Sequence, residues 1–134
     1  MAGYSGTALH KKLGFAAGMR VLQIGMPSEV RALIESGAGR IEWTSRATDL
    51  TAAHLFVTTQ KDLARHLGAL RKKLAPTGFV WISWPKRASG VATDVTEDRV
   101  RDVALPLQLV DVKVCAVTEV WSGLKLVIPV KRRK

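Results

Sequence analysis

The sequence is poor in the residues that carry most metal and nucleophilic chemistry. Its one cysteine, Cys115, rules out an intramolecular disulfide framework, and no second Cys or nearby His offers the thiol a base or a metal site. Lying in an alternating apolar run, Cys115 is expected to be a core thiol, and the compartment reducing and cytoplasmic. The three histidines, His10, His54 and His66, lack metal-ligand spacing, so no metal is expected. His54 opens an apolar run, where a lone histidine reads as a strand-end or core residue. There is no Ser-His-Asp set and no isolated carboxylate pair, so no catalytic residue is assigned. No apolar run approaches ~18 residues, and no signal-peptide segment precedes Lys11 and Lys12.

Acidic residues are also scarce. Eleven Asp and Glu face 21 Lys and Arg, leaving a formal charge of +10, which makes polyanions a class of partner to consider. Lys131 to Lys134 are all basic and form a short tail after residues 1–130. A chain of 134 residues, 47% hydrophobic and 24% charged, fits one globular domain that buries roughly two-thirds of its unfolded surface.

The pattern along the chain alternates helix with strand. Tyr4 to Phe15 reads as an amphipathic helix with Leu9 and Leu13 inward, and Met19 to Ile24 as an apolar strand buried on both faces. Ser28 is placed to cap a helix through Ser36 that Gly37 ends. Arg40 to Thr44 is a second strand, Ser45 to Thr51 a polar connection, and His54 to Thr58 a third strand. Thr59 and Asp62 match a capping box, followed by a helix face of Leu63, Leu67, Leu70 and Leu74 that Pro76 and Gly78 stop. Phe79 to Ser83 is the fourth strand. Asp94 or Thr96 caps the next helix, with Val100, Val103 and Ala104 inward and Pro106 at its end. Val110 to Val117 alternates with period two, Thr118 to Gly123 turns, and Leu124 to Val130 closes an antiparallel hairpin.

This order predicts a three-layer, Rossmann-like α/β fold with a mostly parallel sheet and a C-terminal hairpin. Ligands in such sheets bind outside the carboxyl ends of the strands. The stretch from Trp84 to Glu97 falls on that rim and carries two cations, a glycine, an indole and three hydroxyls. Trp84 fits either core packing or a stacking platform. Lys86 and Arg87 fit either solvated cations or a holder for phosphate or carboxylate, aided by Ser89, Thr93 and the amides near Gly90.

The entry Leu13-Gly14-Phe15-Ala16-Ala17-Gly18-Met19-Arg20-Val21-Leu22-Gln23-Ile24-Gly25 resembles the start of class I S-adenosylmethionine-dependent methyltransferases, and the closing hairpin fits that fold. Those enzymes usually read Val-Leu-Asp-Ile-Gly-Cys-Gly; here Gln23 replaces the acid and Pro27 the second glycine. Glu42, mid-strand and followed by Trp43, is the one candidate for the acid that usually ends strand two. Proline offers no N–H and a larger profile, so S-adenosylmethionine is expected to be an unlikely cofactor. Tyr4-Ser5-Gly6-Thr7, Trp84-Pro85-Lys86, Ala88-Ser89-Gly90-Val91-Ala92-Thr93-Asp94, Leu109 to Cys115 and Trp121-Ser122-Gly123-Leu124-Lys125 resemble the bacterial domain of unknown function 3052 family. That resemblance implies a small bacterial protein of methyltransferase-like fold.

The leading expectation is a non-catalytic binding or regulatory domain. It would take a small anionic or nucleotide-like ligand, or a protein partner, on a rim lined by Ser28, Thr58, Trp84, Lys86, Arg87, Ser89, Gly90 and Thr93. The alternatives are a divergent methyltransferase, and sequence-independent nucleic-acid binding through basic helix faces and the tail.

Overall fold

The computed structural model describes residues 8–46 and 49–133. Its elements run α1 (Leu9–Leu13), β1 (Arg20–Ile24), α2 (Ser28–Ala38), β2 (Glu42–Thr44), β3 (Leu50–Phe56) and α3 (Gln60–Arg71). The chain continues through β4 (Leu74–Pro85), α4 (Glu97–Ala104), β5 (Val110–Ala116) and β6 (Trp121–Val127). The six strands form one sheet in the order β2-β1-β3-β4-β6-β5. The first four are mutually parallel, and β6 runs antiparallel to both β4 and β5. No helix among the described residues is long and apolar enough to cross a membrane.

Two apolar layers sandwich the sheet, as the alternation of strand and helix implies. Leu13 of α1 and Val30 and Ile34 of α2 pack with Val21, Ala52, Phe56 and Trp81 on one face. Leu63, Leu67 and Leu70 of α3 and Val100 and Ala104 of α4 pack with Leu22, Ala53, Leu55, Val80, Ile82, Leu124 and Leu126 on the other. Each buried leucine contributes roughly 1.5–3 kcal/mol relative to exposure. Trp81 is fully buried and its Nε1 donates to the Leu13 carbonyl at 2.8 Å, tying α1 to the sheet.

Several boundaries differ from those read in the sequence, each for a local reason. The expected first helix from Tyr4 begins outside the described residues; what is described of it is Leu9–Leu13, closed by Gly14 at φ 79°. β1 starts at Arg20 and β2 at Glu42, each later than expected. Ser28 is the first residue of α2, and Pro27 occupies the cap position without a side-chain bond. Gly37 does not end α2, which runs to Ala38 and closes on Gly39. A Cβ at Gly37 would run into the His10 ring, so this glycine serves the approach of α1 to α2.

β3 begins at Leu50, not His54, after Asp49 turns the chain at φ 52°, and it ends at Phe56, so Thr58 follows the strand. Residues Ala47 and Thr48 of the expected connection lie outside the described residues. Leu74 leaves the helix to open β4, which takes in Pro76 and Gly78 across a register irregularity against β3 and also includes Trp84 and Pro85. Pro106 lies in a 3₁₀ turn, Leu105–Leu107, directly after α4. β6 begins at Trp121, inside the expected turn, and ends at Val127. β5 is an edge strand, so Val112 and Val114 remain 55% and 53% exposed and Cys115 is half-buried. Burial still raises the Cys115 thiol above its ordinary range, against the pull of nearby lysines.

His54 is fully buried in the middle of the sheet, where its Nε2 shares a 2.7 Å hydrogen bond with Ser83 Oγ and its ring stacks on Phe56. Burial lowers its pKa from 6.5 to about 3. Between those values the unfolded chain carries the proton and the folded chain does not. Stability is therefore intact above pH 6.5 and falls as pH drops toward 3, by about 1.4 kcal/mol per pH unit from this group. Urea unfolding of wild type and His54→Gln across that window should show a shallower acid slope in the variant. Equal slopes would contradict the assignment.

Candidate functional site

The carboxyl ends of β1, β3 and β4 meet at one edge, where three segments converge: the turn after β1, Val57 to Gln60, and the loop from Lys86 to Thr96. The turn is shaped by Gly25, whose φ of 73° places it in the left-handed region. A Cβ there would lie 2.9 Å from the Phe56 carbonyl oxygen, so glycine is required by both conformation and space. Gln23 Oε1 accepts from the Met26 amide at 3.0 Å and closes the turn from within. Pro27 has no N–H to offer. The Gln23 amide nitrogen retains its donors, where an aspartate would have only acceptors.

The loop is stitched down over the start of α3. Thr93 Oγ1 donates to the Thr58 carbonyl at 2.7 Å, and the Asp94 amide reaches the same carbonyl at 3.3 Å. Asp94 Oδ1 accepts from the Gln60 amide, and the Asp94 carbonyl accepts from Gln60 Nε2, both at 2.8 Å. Asp94 therefore caps α3, while Thr96 caps α4 by accepting from the Arg99 amide at 3.2 Å. The carboxylate also complements the positive end of the α3 dipole. This bond crosses 34 residues of sequence, and nothing in the local pattern around Asp94 marks its partner.

The remaining sequence-predicted residues divide by what already holds them. Ser89 Oγ donates to the Lys86 carbonyl at 2.7 Å and accepts from Val91, and Thr93 Oγ1 also accepts from Val95, so both hydroxyls brace the loop. Gly90 turns the chain at φ 79° after the 3₁₀ turn Arg87–Ser89. Trp84 is 7% exposed and belongs to the core under α3 and α4. Ser28 is exposed on α2, away from the loop cavity. Trp84, Lys86, Arg87, Gly90 and Thr93 line a cavity of about 510 Å³ together with Val95 and Ser122. Lys86 and Arg87 supply its positive charge. Glu97 also borders it, paired with Arg101.

Glu42 does not stand at the end of β2. It opens the strand and pairs with Arg20 at 2.9 Å. Trp43, on the other side of the same strand, donates its indole N–H to Glu35 at 2.8 Å and carries Arg31 over its ring. Among the described residues no cluster of three or more His, Cys, Asp or Glu could hold a metal.

No family model and no curated protein matches the sequence. Solved structures do match in fold. A SAM-dependent O-methyltransferase from Thermotoga maritima superposes with TM-score 0.57 at 12% identity, covering 94% of this chain and 64% of that one. A precorrin-6y C5,15-methyltransferase from Geobacter metallireducens gives TM-score 0.57 at 8% identity over 88% of this chain and 84% of that one. Fibrillarin from Aeropyrum pernix, with natively bound S-adenosyl-L-methionine, gives 0.55 at 14% identity over 90% and 73%. Two further matches are longer proteins, of which this chain spans 66% and 53%. The fold is methyltransferase-like. The expectation that S-adenosylmethionine is an unlikely cofactor is corrected by these matches, one of which holds that molecule. The turn at Gly25 is left-handed and close to the Phe56 backbone even with Gln23 and Pro27 beside it.

Removing the stitch should loosen the loop without unfolding the sheet. Asp94→Ala is expected to cost about 1 kcal/mol in urea unfolding, the usual value of a helix cap, and to speed amide exchange across residues 86–95. Unchanged exchange in that loop would show that the Gln60 contacts do not hold it.

Proposed function

We propose that this chain is a divergent methyltransferase-like protein that takes S-adenosylmethionine, or a close relative of it, at the rim formed by the ends of β1, β2 and β3. The observation that carries this reading is the left-handed, closely approaching turn at Gly25 after β1, in a fold shared with a structure that holds this molecule. Gly25 would let the ligand approach the backbone. Gln23, its oxygen already accepting from Met26, would offer amide N–H groups to the ligand's carboxylate. Thr44, at the end of β2, and Thr58, at the loop stitch, complete the rim. S-adenosylmethionine supplies an activated methyl group on a sulfonium. The protein's part is to bind and orient it, and the loop from Lys86 to Thr96 walls one side of the crevice. We further propose kinship with the domain of unknown function 3052 family, on Trp84-Pro85-Lys86, Trp121-Ser122-Gly123-Leu124-Lys125 and the stretches between, with the bacterial source it implies, and a cytoplasmic setting on the lone Cys115.

A second reading is favoured by the 510 Å³ cavity that Lys86 and Arg87 line together with Gly90 and Thr93. It is the binding of a small anionic or nucleotide-like ligand without group transfer.

Calorimetry separates the two. Binding of S-adenosylmethionine and S-adenosylhomocysteine to wild type, weakened at least about tenfold in Gln23→Leu (about 1.4 kcal/mol) and unaffected by Lys86→Ala, supports the first. Heat with nucleotides that is lost in Lys86→Ala supports the second. Silence from folded protein toward both adenosyl ligands would overturn the methyltransferase-like reading.

A further inference from the structure

The β5–β6 hairpin carries, on the side that adjoins α1, a lysine cluster unrelated to the rim turn. Lys113 and Lys125 are direct cross-strand partners. Period-two alternation puts Cys115 and Trp121 on their face. Lys113 Nζ donates to the Lys12 carbonyl at 3.1 Å, and Lys125 Nζ stands 4.5 Å from the centre of the Phe79 ring. The charges acting on Cys115 come from Lys12, Lys113 and Lys86, with no carboxylate among them. Like charges directly opposite one another destabilise an antiparallel pair, and Lys125 is held below its ordinary range by burial and by Lys113.

A bulge keeps the one acid of β5, Asp111, off this face. Alternation alone would place Asp111 beside Lys113, two residues on. The register shifts between them, so that Asp111 pairs with Leu126, whose side chain belongs to the opposite core. There Asp111 accepts from Arg101 at 3.1 Å. The result is a strip from Trp121, at the rim end of the hairpin, to the Lys113–Lys125 pair, four residues along β6 and roughly 13 Å away. That length exceeds a single phosphate group and suits a chain of them.

We propose that this face binds the phosphodiester backbone of single-stranded nucleic acid. Lys113 and Lys125 take phosphates, and the half-buried indole of Trp121, edge-on to Phe56 at 5.1 Å, offers its exposed part to a base. The inference stands on the sheet face, apart from the basic helix surfaces and the tail, and does not depend on the ligand proposed for the rim.

Fluorescence anisotropy with a labelled oligothymidine, measured across a salt series, tests it. Lys113→Ala/Lys125→Ala should weaken binding about tenfold at low salt and reduce the slope of log K against log salt by about 1.4, from two contacts at about 0.7 each. Lys61→Ala/Lys72→Ala at α3 should change neither. The oligonucleotide should also shield Cys115 from a thiol reagent in wild type. The proposal is overturned if wild type does not bind, if the α3 variant loses as much, if only removal of residues 131–134 matters, or if Cys115 stays unshielded. Binding to anionic lipid vesicles in place of the oligonucleotide would overturn it equally.

Discussion

Trp81 is the side chain on which the arrangement of this fold turns. It lies in β4, the strand where the sheet changes from parallel pairing with β3 to antiparallel pairing with β6. The indole is fully buried, and its N–H, which could not be left unpaired without a cost of roughly 1–3 kcal/mol, reaches the end of α1 at Leu13. The opposite strand makes room for it at Gly123, where a Cβ would stand 3.2 Å from the ring. One side chain thus fixes how α1 meets the sheet and how closely the C-terminal hairpin packs on β4. Lys125 lies directly across from it on β6.

The rim is built by close approaches of the same kind. Gly25 lets β1 turn within contact of the Phe56 carbonyl, and Thr93 and Asp94 draw a long loop down onto Thr58 and Gln60. Most hydroxyls that look available in the sequence are consumed in this bracing. What remains for a ligand is cationic and amide in character: Lys86, Arg87, the free donors of Gln23, and the turn at Gly25. These groups suit the carboxylate or phosphate of the ligands proposed for the rim.

The layer architecture was legible because its signals are periodic. The leucines at 63, 67 and 70 and the apolar runs at Val21 and Val80 place their elements correctly, and the capping box at Thr59 marks the start of α3 to the residue. The errors have particular causes. Ala52 and Ala53 are too small to announce a strand, so β3 reads four residues short. Pro76 and Gly78, which usually stop elements, sit instead at an irregularity inside β4. Gly37 looks like a helix stop because the ring of His10, packed from another helix, leaves no trace in the local sequence. At the site, Trp84 and the Lys86–Arg87 pair could be placed on the rim by order alone. The partners of Asp94 and Thr93, and the bulge that turns Asp111 away from the lysines, are tertiary facts. After β1, Gln23 and Pro27 suggested a blocked backbone, while the chain there takes a left-handed bend at Gly25.

Amide hydrogen exchange with and without saturating S-adenosylmethionine tests most directly the proposal that the bend at Gly25 serves a ligand. The account predicts slowed exchange confined to Gly25, Met26 and the first turn of α2, together with Thr58 to Gln60, with the sheet interior and the β5–β6 hairpin unchanged. Exchange that stays the same at the rim, or protection that appears only elsewhere, would contradict it.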